Sequence, residues 1–169
     1  EKGYSAVPTQ IIQDNGKRKF TYTAIRGEIN TQSYRNHIKT EVGLTPSPLI
    51  DHDKCYWGAI DIDTYNMEGA KKKEIIEGAK ELHLAPAFSK SQGIHLYCVS
   101  KDKILAKAMR NYLAYCRATL KLDPKTEIFP KQDEVSITEE NGFKKFGYGN
   151  GITIPYRSFE IHADKDQPW

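Results

Sequence analysis

The sequence predicts an α+β fold, and three observations carry that prediction. From Tyr56 to Phe129 the elements run strand, helix, strand, strand, helix, strand. The first fifty residues read as a smaller α/β lobe, a hairpin and a short helix. The chain has 169 residues, 38% hydrophobic and 28% charged, which fits one compact core built from lobes at 1–50 and 51–169.

In the first lobe, Ile11 to Gln13 and Phe20 to Ile25 flank Asp14-Asn15-Gly16, the signature of a hairpin with an Asn-Gly turn. A helix is expected from Ser33 to Glu41, ended by Gly43, and Thr45-Pro46-Ser47-Pro48 reads as a rigid connector. In the second lobe, Tyr56 to Asp63 is a strand. Glu68 to Leu82 is a helix with Ile75, Ile76, Ala79 and Leu82 on one side. Ala87 to Ser91 and Ile94 to Ser100 are strands around a tight Gln92-Gly93 turn. Asp102 is placed as the cap of a helix reaching Leu120, with Leu105, Ala108, Met109, Tyr112, Cys116 and Thr119 as its stripe. Asp123-Pro124 stops it, and Thr126 to Phe129 is a short last strand. This order is the split βαβ, or ferredoxin-like, unit. It puts the first and third strands in the middle of the sheet and the fourth beside the first, with both helices on one face.

Composition excludes several classes. There is no apolar run of roughly 18 residues, so no membrane-spanning helix is expected, and no charged-then-apolar stretch opens the given sequence, so export is not expected from it. A net charge of +3 is low for a DNA-coating protein. Lys17-Arg18-Lys19, Lys71-Lys72-Lys73 and Lys144-Lys145 read as solvated turns or helix faces. The three cysteines, Cys55, Cys98 and Cys116, lack CxxC spacing and read as small buried hydrophobes. His52 and Cys55 are only two ligands, too few for a zinc site.

The chemistry sits on the sheet face that the helices leave open. Alternation puts Ile60 and Ile62 toward the helices, and so Asp61 and Asp63 on the open face, about 7 Å apart by Cα. The same parity turns His95, Tyr97 and Val99 outward on the third strand, and Glu127 and Phe129 on the fourth. Three acids and a histidine from neighbouring strands therefore meet on one patch. Clustered carboxylates repel, and divalent cations relieve that repulsion. Mg²⁺ takes oxygen ligands and keeps waters or phosphates in its shell, and a pair of such ions suits in-line nucleotidyl transfer.

These residues carry a resemblance. Ala59-Ile60-Asp61-Ile62-Asp63 resembles the first motif of the archaeo-eukaryotic primase superfamily. Ser89-Lys90-Ser91-Gln92-Gly93-Ile94-His95 resembles its second, and Glu127-Ile128-Phe129-Pro130-Lys131-Gln132 its third. Gly149-Asn150-Gly151-Ile152-Thr153-Ile154-Pro155 is similar to a segment that closes the nucleotide pocket in primase-polymerases of phages, plasmids and bacterial defence systems. The resemblance spans Ile38 to Tyr156. It departs in offering Glu127 where many relatives have Asp, with Asp133 as a rival, and in lacking a zinc-binding cysteine set.

The resemblance implies an RRM-like catalytic unit that joins NTPs or dNTPs on a template and releases pyrophosphate. Asp61, Asp63 and Glu127 would hold two divalent cations, Mg²⁺ or Mn²⁺. Lys90, Ser91, Gly93, His95, Lys131, Asn150 and Arg157 would bind the incoming nucleotide. Tyr22, Arg26, Arg35 and Lys39 would track a single-stranded DNA template, with aromatic rings stacking bases and cations meeting phosphates. The Lys144 to Tyr148 stretch is expected as a loop over the pocket or the primer. The implied setting is a cytoplasmic protein of bacterial, phage or plasmid origin, part of a larger chain with helicase or accessory domains. Two rivals share the topology. An RNA-recognition module stacks bases on rings where this chain presents acids. A nucleotide cyclase wants an acid in the hairpin that here reads Lys90-Ser91-Gln92-Gly93.

Overall fold

The computed structural model describes residues 2–14, 17–39, 43–63, 67–89, 93–147 and 149–155; the side chains of 2–26, 145 and 146 lie outside that description. The described residues form an α+β fold with three helices and a largely antiparallel set of strands. Strands β1 (Lys2–Asp14) and β2 (Lys17–Glu28) make the expected hairpin, far longer than its apolar pieces suggested. Asp14 faces Lys17, and the turn expected at Asn15-Gly16 lies outside the described residues. Register slips at Pro8, whose missing N–H cannot serve the ladder.

Helix α1 (Thr31–Ile38) begins and ends earlier than the sequence suggested. Asn30 closes a capping box with Ser33, and that pulls the start upstream. Gly43 therefore does not end a helix; it opens strand β3 (Gly43–Pro46). The expected Thr45-Pro46 connector is in fact the second half of this strand, and β3 pairs with β1 from Gly3 opposite Pro46 to Ala6 opposite Gly43.

The main sheet uses β4 (Leu49–Ile50), β5 (Lys54–Ile62), β6 (Ala85–Phe88), β7 (Ile94–Leu105) and β8 (Glu127–Phe129). On one edge, β5 pairs with β7, and β6 lies beyond it. On its other edge, β5 pairs with β4 near Cys55 and with β8 near Ile60. Between β5 and β6 runs α2 (Gly69–Glu81), and between β7 and β8 runs α3 (Ala106–Thr119). Ile60, Ile62, Ile94 and Leu96 pack with Ile75, Ile76 and Ala79 of α2 and with Met109, Leu113 and Cys116 of α3 in one core. Both helices thus cover the face predicted for them. Among the described residues no helix is long and apolar enough to cross a membrane.

Two details of α3 differ from expectation. Asp102 does not cap it, because β7 continues to Leu105 by pairing Ile104 and Leu105 with Cys55 and Lys54. The first helical N–H, that of Ala106, donates instead to the Asp53 carbonyl (2.7 Å). Its buried stripe is Ala106, Met109, Leu113 and Cys116, whereas Leu105 and Tyr112 are exposed. The expected stripe was rotated: Met109 and Leu113, not Leu105 and Tyr112, pack against Gly58 of β5. At Gly58 a Cβ would meet the Phe129 carbonyl, Met109 and Leu113, each below 3 Å.

The expected Lys144 to Tyr148 loop is corrected in its first part, Tyr148 lying outside the described residues. Lys144 lies in β10 (Phe143–Phe146), which pairs with β9 (Ile137–Glu140) across a two-residue turn. Asn141 and Gly142 both have positive φ, 53° and 77°, as a type I′ turn requires. Lys144 faces Glu139 across this hairpin.

Candidate active site

Pairing brings two of the predicted acids, Asp61 and Glu127, beside the histidine. Asp61 of β5 faces His95 of β7 on one side and Glu127 of β8 on the other. His95 Nε2 lies 3.2 Å from Asp61 Oδ1, and His95 Nδ1 lies 3.2 Å from the Tyr97 hydroxyl. A carboxylate only accepts, so Nε2 carries the proton toward Asp61. Nδ1 then accepts from Tyr97 in the neutral ring and donates to it in the imidazolium. The His95 side chain is 6% exposed and that of Asp61 28%, so the ring is a buried prop beneath a carboxylate that reaches water. Asp63 follows the last residue of β5 and is exposed.

Glu127 is exposed, and Lys131 Nζ donates to its Oε1 at 2.6 Å. The same ammonium sits 4.9 Å from the centre of the Phe129 ring. Asn150 donates from Nδ2 to Gln132 Oε1 (3.1 Å), which links the 149–155 segment to the turn that carries Lys131. That segment runs along β3: Ile152 and Ile154 donate backbone N–H groups to the Pro46 and Leu44 carbonyls. Its close approach needs Gly151, where a Cβ would meet the Thr45 and Pro46 carbonyls below 3 Å. Ile152 then packs with Ala59 and Phe129 under the site, and Trp57 and Tyr97 lean on this cluster.

Gly93 closes the hairpin between β6 and β7. Its N–H donates to Ser89 Oγ and its carbonyl accepts from Ser89 N–H, both at 2.9 Å. Lys90, Ser91 and Arg157 lie outside the described residues, as do the side chains of Tyr22 and Arg26. Arg35 and Lys39 are exposed at the C-terminal end of α1. The rival acid Asp133 forms an ion pair with Arg110 of α3.

Sequence reasoning missed three partners: Tyr97 behind His95, Lys131 on Glu127, and Gln132 on Asn150. The i, i+2 parity of β7 signals the first. Nothing local signals the other two, which depend on the path after Pro130. Also missed was His37, fully buried: Nδ1 accepts from Leu44 N–H (3.0 Å), so Nε2 donates to the Pro155 carbonyl (2.9 Å).

The carboxylates of Asp61 and Asp63 are hard oxygen donors with access to water, and their chemistry fits a divalent cation. Glu127 is held by Lys131 in this conformation, and among the described residues no group of three or more His, Cys, Asp or Glu converges closely enough to hold a metal ion. The three cysteines stay apart from this chemistry. Burial raises all three thiols, Cys55 to about 11 with the neighbouring Cys98 adding to the rise.

The sheet thus sets Asp61 between His95 and Glu127 on adjacent strands. The chain belongs to the archaeo-eukaryotic primase domain family of the TOTE conflict system, whose model matches residues 1–165. No curated protein matches the chain. The family sets it in a conflict system, which agrees with the defence-associated resemblance read from its motifs.

Proposed function

We propose that this domain is a template-dependent nucleotidyltransferase that joins NTPs or dNTPs on single-stranded DNA with release of pyrophosphate, its β5-α2-β6-β7-α3-β8 segment serving as an RRM-like catalytic unit. The observation that carries the reading is the register that flanks Asp61 with His95 and Glu127. Divalent cations, when bound, would supply the Lewis acidity that activates an attacking hydroxyl and steadies the leaving pyrophosphate. Asp61 and Asp63 would hold them, and Glu127 would join once Lys131 turns to a phosphate. His95 orients Asp61 through Nε2–H, and a phosphate contact by His95 would require that N–H to turn from the carboxylate to the nucleotide. Lys131 and Asn150 stand at the mouth of the same patch.

A pure binding module is the second reading, and the Trp57 and Tyr97 rings, 6.0 Å apart on the open face, favour it. Against it, both rings pack on the cluster of Ala59, Phe129 and Ile152, so neither is a free stacking platform. The test is incubation with primed and unprimed single-stranded DNA, labelled NTPs or dNTPs, and Mg²⁺ or Mn²⁺. The wild type should add nucleotides, and Asp61→Ala and Asp63→Ala should not. Undiminished synthesis by either variant sinks the two-metal reading.

A further inference from the structure

Beyond β8, at the edge of the main sheet, lies a cleft of about 430 Å³ between α3 and residues 125–133. Five cations line it: Lys107, Arg110, Arg117, Lys125 and Lys131. Only Glu127 and Asp133 oppose them, a surplus as large as the +3 of the entire chain. Basic residues on a helix are usually spread over a solvated face. Here Lys107, Arg110 and Arg117 stand three and seven apart, on one side of α3, and all face the cleft. Their span is about 15 Å of helix axis.

These cations fall into two groups. Arg110 pairs with Asp133, Arg117 Nη1 donates to the Thr126 carbonyl (2.8 Å), and Lys131 holds Glu127. The first two bonds fasten α3 to the far wall, and the third lies within that wall. Lys107 and Lys125 are exposed, and among the described residues neither ammonium forms an ion pair, though the Lys125 backbone N–H donates to Asp123 Oδ1 (2.7 Å). They are left for a ligand. The cleft also reaches the catalytic patch, because Glu127 and Lys131 belong to both. A small triphosphate would occupy only that end. An anion that uses the whole length is extended, repeats its charge, and finishes beside Asp61.

We infer that the α3–β8 cleft binds the sugar-phosphate backbone of a nucleic-acid strand, with Lys107 and Lys125 as its phosphate contacts and Glu127 at the end nearest the chemistry. Contacts of this kind position a strand without reading its sequence. The inference rests on the nucleotidyltransferase reading for the role of that strand, and it adds a site distant in sequence from Arg35 and Lys39 of α1.

Binding of a fluorescein-labelled oligo-dT to the full chain, measured by anisotropy over a salt series, tests it. Lys107→Ala/Lys125→Ala should bind on the order of tenfold more weakly. Its plot of log affinity against log salt should be shallower by about 1.4, since each single-strand phosphate contact contributes about 0.7. Lys72→Ala/Lys80→Ala removes the same charge from α2 and should bind like wild type. Triphosphate affinity should stay unchanged in both. Wild-type affinity and slope in the Lys107/Lys125 pair, an equal loss in the α2 pair, or no oligonucleotide binding by the wild type would each overturn the inference. If the double variant lowers the melting temperature, Lys107→Gln and Lys125→Gln singly should each shift the slope by about half as much. Nucleotide addition is scored separately. Strand binding that depends on the cleft in a wild type that adds no nucleotide upholds the cleft and refutes polymerisation. Addition that is insensitive to the pair at limiting template does the reverse.

Discussion

Replacing His95 with alanine removes a buried ring and two hydrogen bonds at once, those to Asp61 and to Tyr97. Each bond contributes about 1 kcal/mol, with more on the Asp61 side because that partner is charged. Partial exposure of Asp61 limits that gain, and the emptied ring volume adds a cavity term. The sum is about 2–4 kcal/mol of stability, or roughly 5–12 °C in melting temperature for a chain of this size. The functional loss is separable. Without Nε2–H, Asp61 is free to rotate and a nucleotide phosphate has no imidazole donor, so nucleotide use should fall roughly 10- to 100-fold. Tyr97→Phe cuts the outer bond and should lower stability by about 1 kcal/mol while nucleotide addition stays within a few-fold. The assays are thermal unfolding, single-nucleotide incorporation, and separate affinities for triphosphate and oligo-dT. Triphosphate affinity should drop and oligonucleotide affinity should hold. A His95→Ala protein with wild-type melting and incorporation would refute the Asp61–His95–Tyr97 chain, and collapse of oligonucleotide affinity alone would favour the binding module.

Three further outcomes are expected. Glu127→Gln should stop nucleotide addition, whereas Asp133→Asn, which breaks only a half-exposed pair with Arg110, should cost under about 1 kcal/mol and leave the rate nearly intact; the opposite pattern in a rate assay would show the two acids misassigned. Gly58→Ala should destabilise by about 1–3 kcal/mol in denaturant unfolding and weaken activity too, since its Cβ would push on the Phe129 carbonyl beside Glu127. The folded Cys55 thiol lies at about 11 against an ordinary 9.0, so the stability this difference confers is present below pH 9 and lost as pH rises toward 11. Thermal melts should fall across that window, and Cys55→Ala should flatten the fall.

Much of the main sheet was legible because period-two alternation leaves little freedom. Ile60 and Ile62 had to face the helices, which fixed Asp61 outward, and the same parity held for His95 and Glu127. The order of strands followed from the connections alone. What failed was whatever depends on tertiary demand. Leu105 and Tyr112 look like core residues, yet Gly58 admits only a close-packed face of Ala106, Met109 and Leu113. Pro46 looks like a connector, yet β1 and the 152–154 segment recruit its strand from both sides. The Asn141-Gly142 turn was a readable signal, hidden because its flanking Glu-Glu and Lys-Lys pairs do not resemble strands. The Lys131–Glu127 and Arg110–Asp133 pairs lie beyond pattern reading, since each joins residues brought near only by the turn after β8.

Strand β8 holds its place on β5 through a ladder of three residues, and that brevity governs when the site exists at all. Asp61, His95 and Glu127 belong to strands separated by whole helices, so no local stretch of chain contains the constellation. Hairpins such as β1–β2 close within microseconds, while pairings of large sequence separation are the slow steps of folding. A molecule caught before β8 docks holds Asp61 on His95 but has no Glu127 beside them. The same asymmetry holds in the folded ensemble. Short edge strands open at lower free energy than the centre of a sheet. Fluctuations that release β8 would part Glu127 from Asp61 and His95 while β5, β6 and β7 keep their pairing, so this three-residue constellation is a more fragile property of the molecule than its fold.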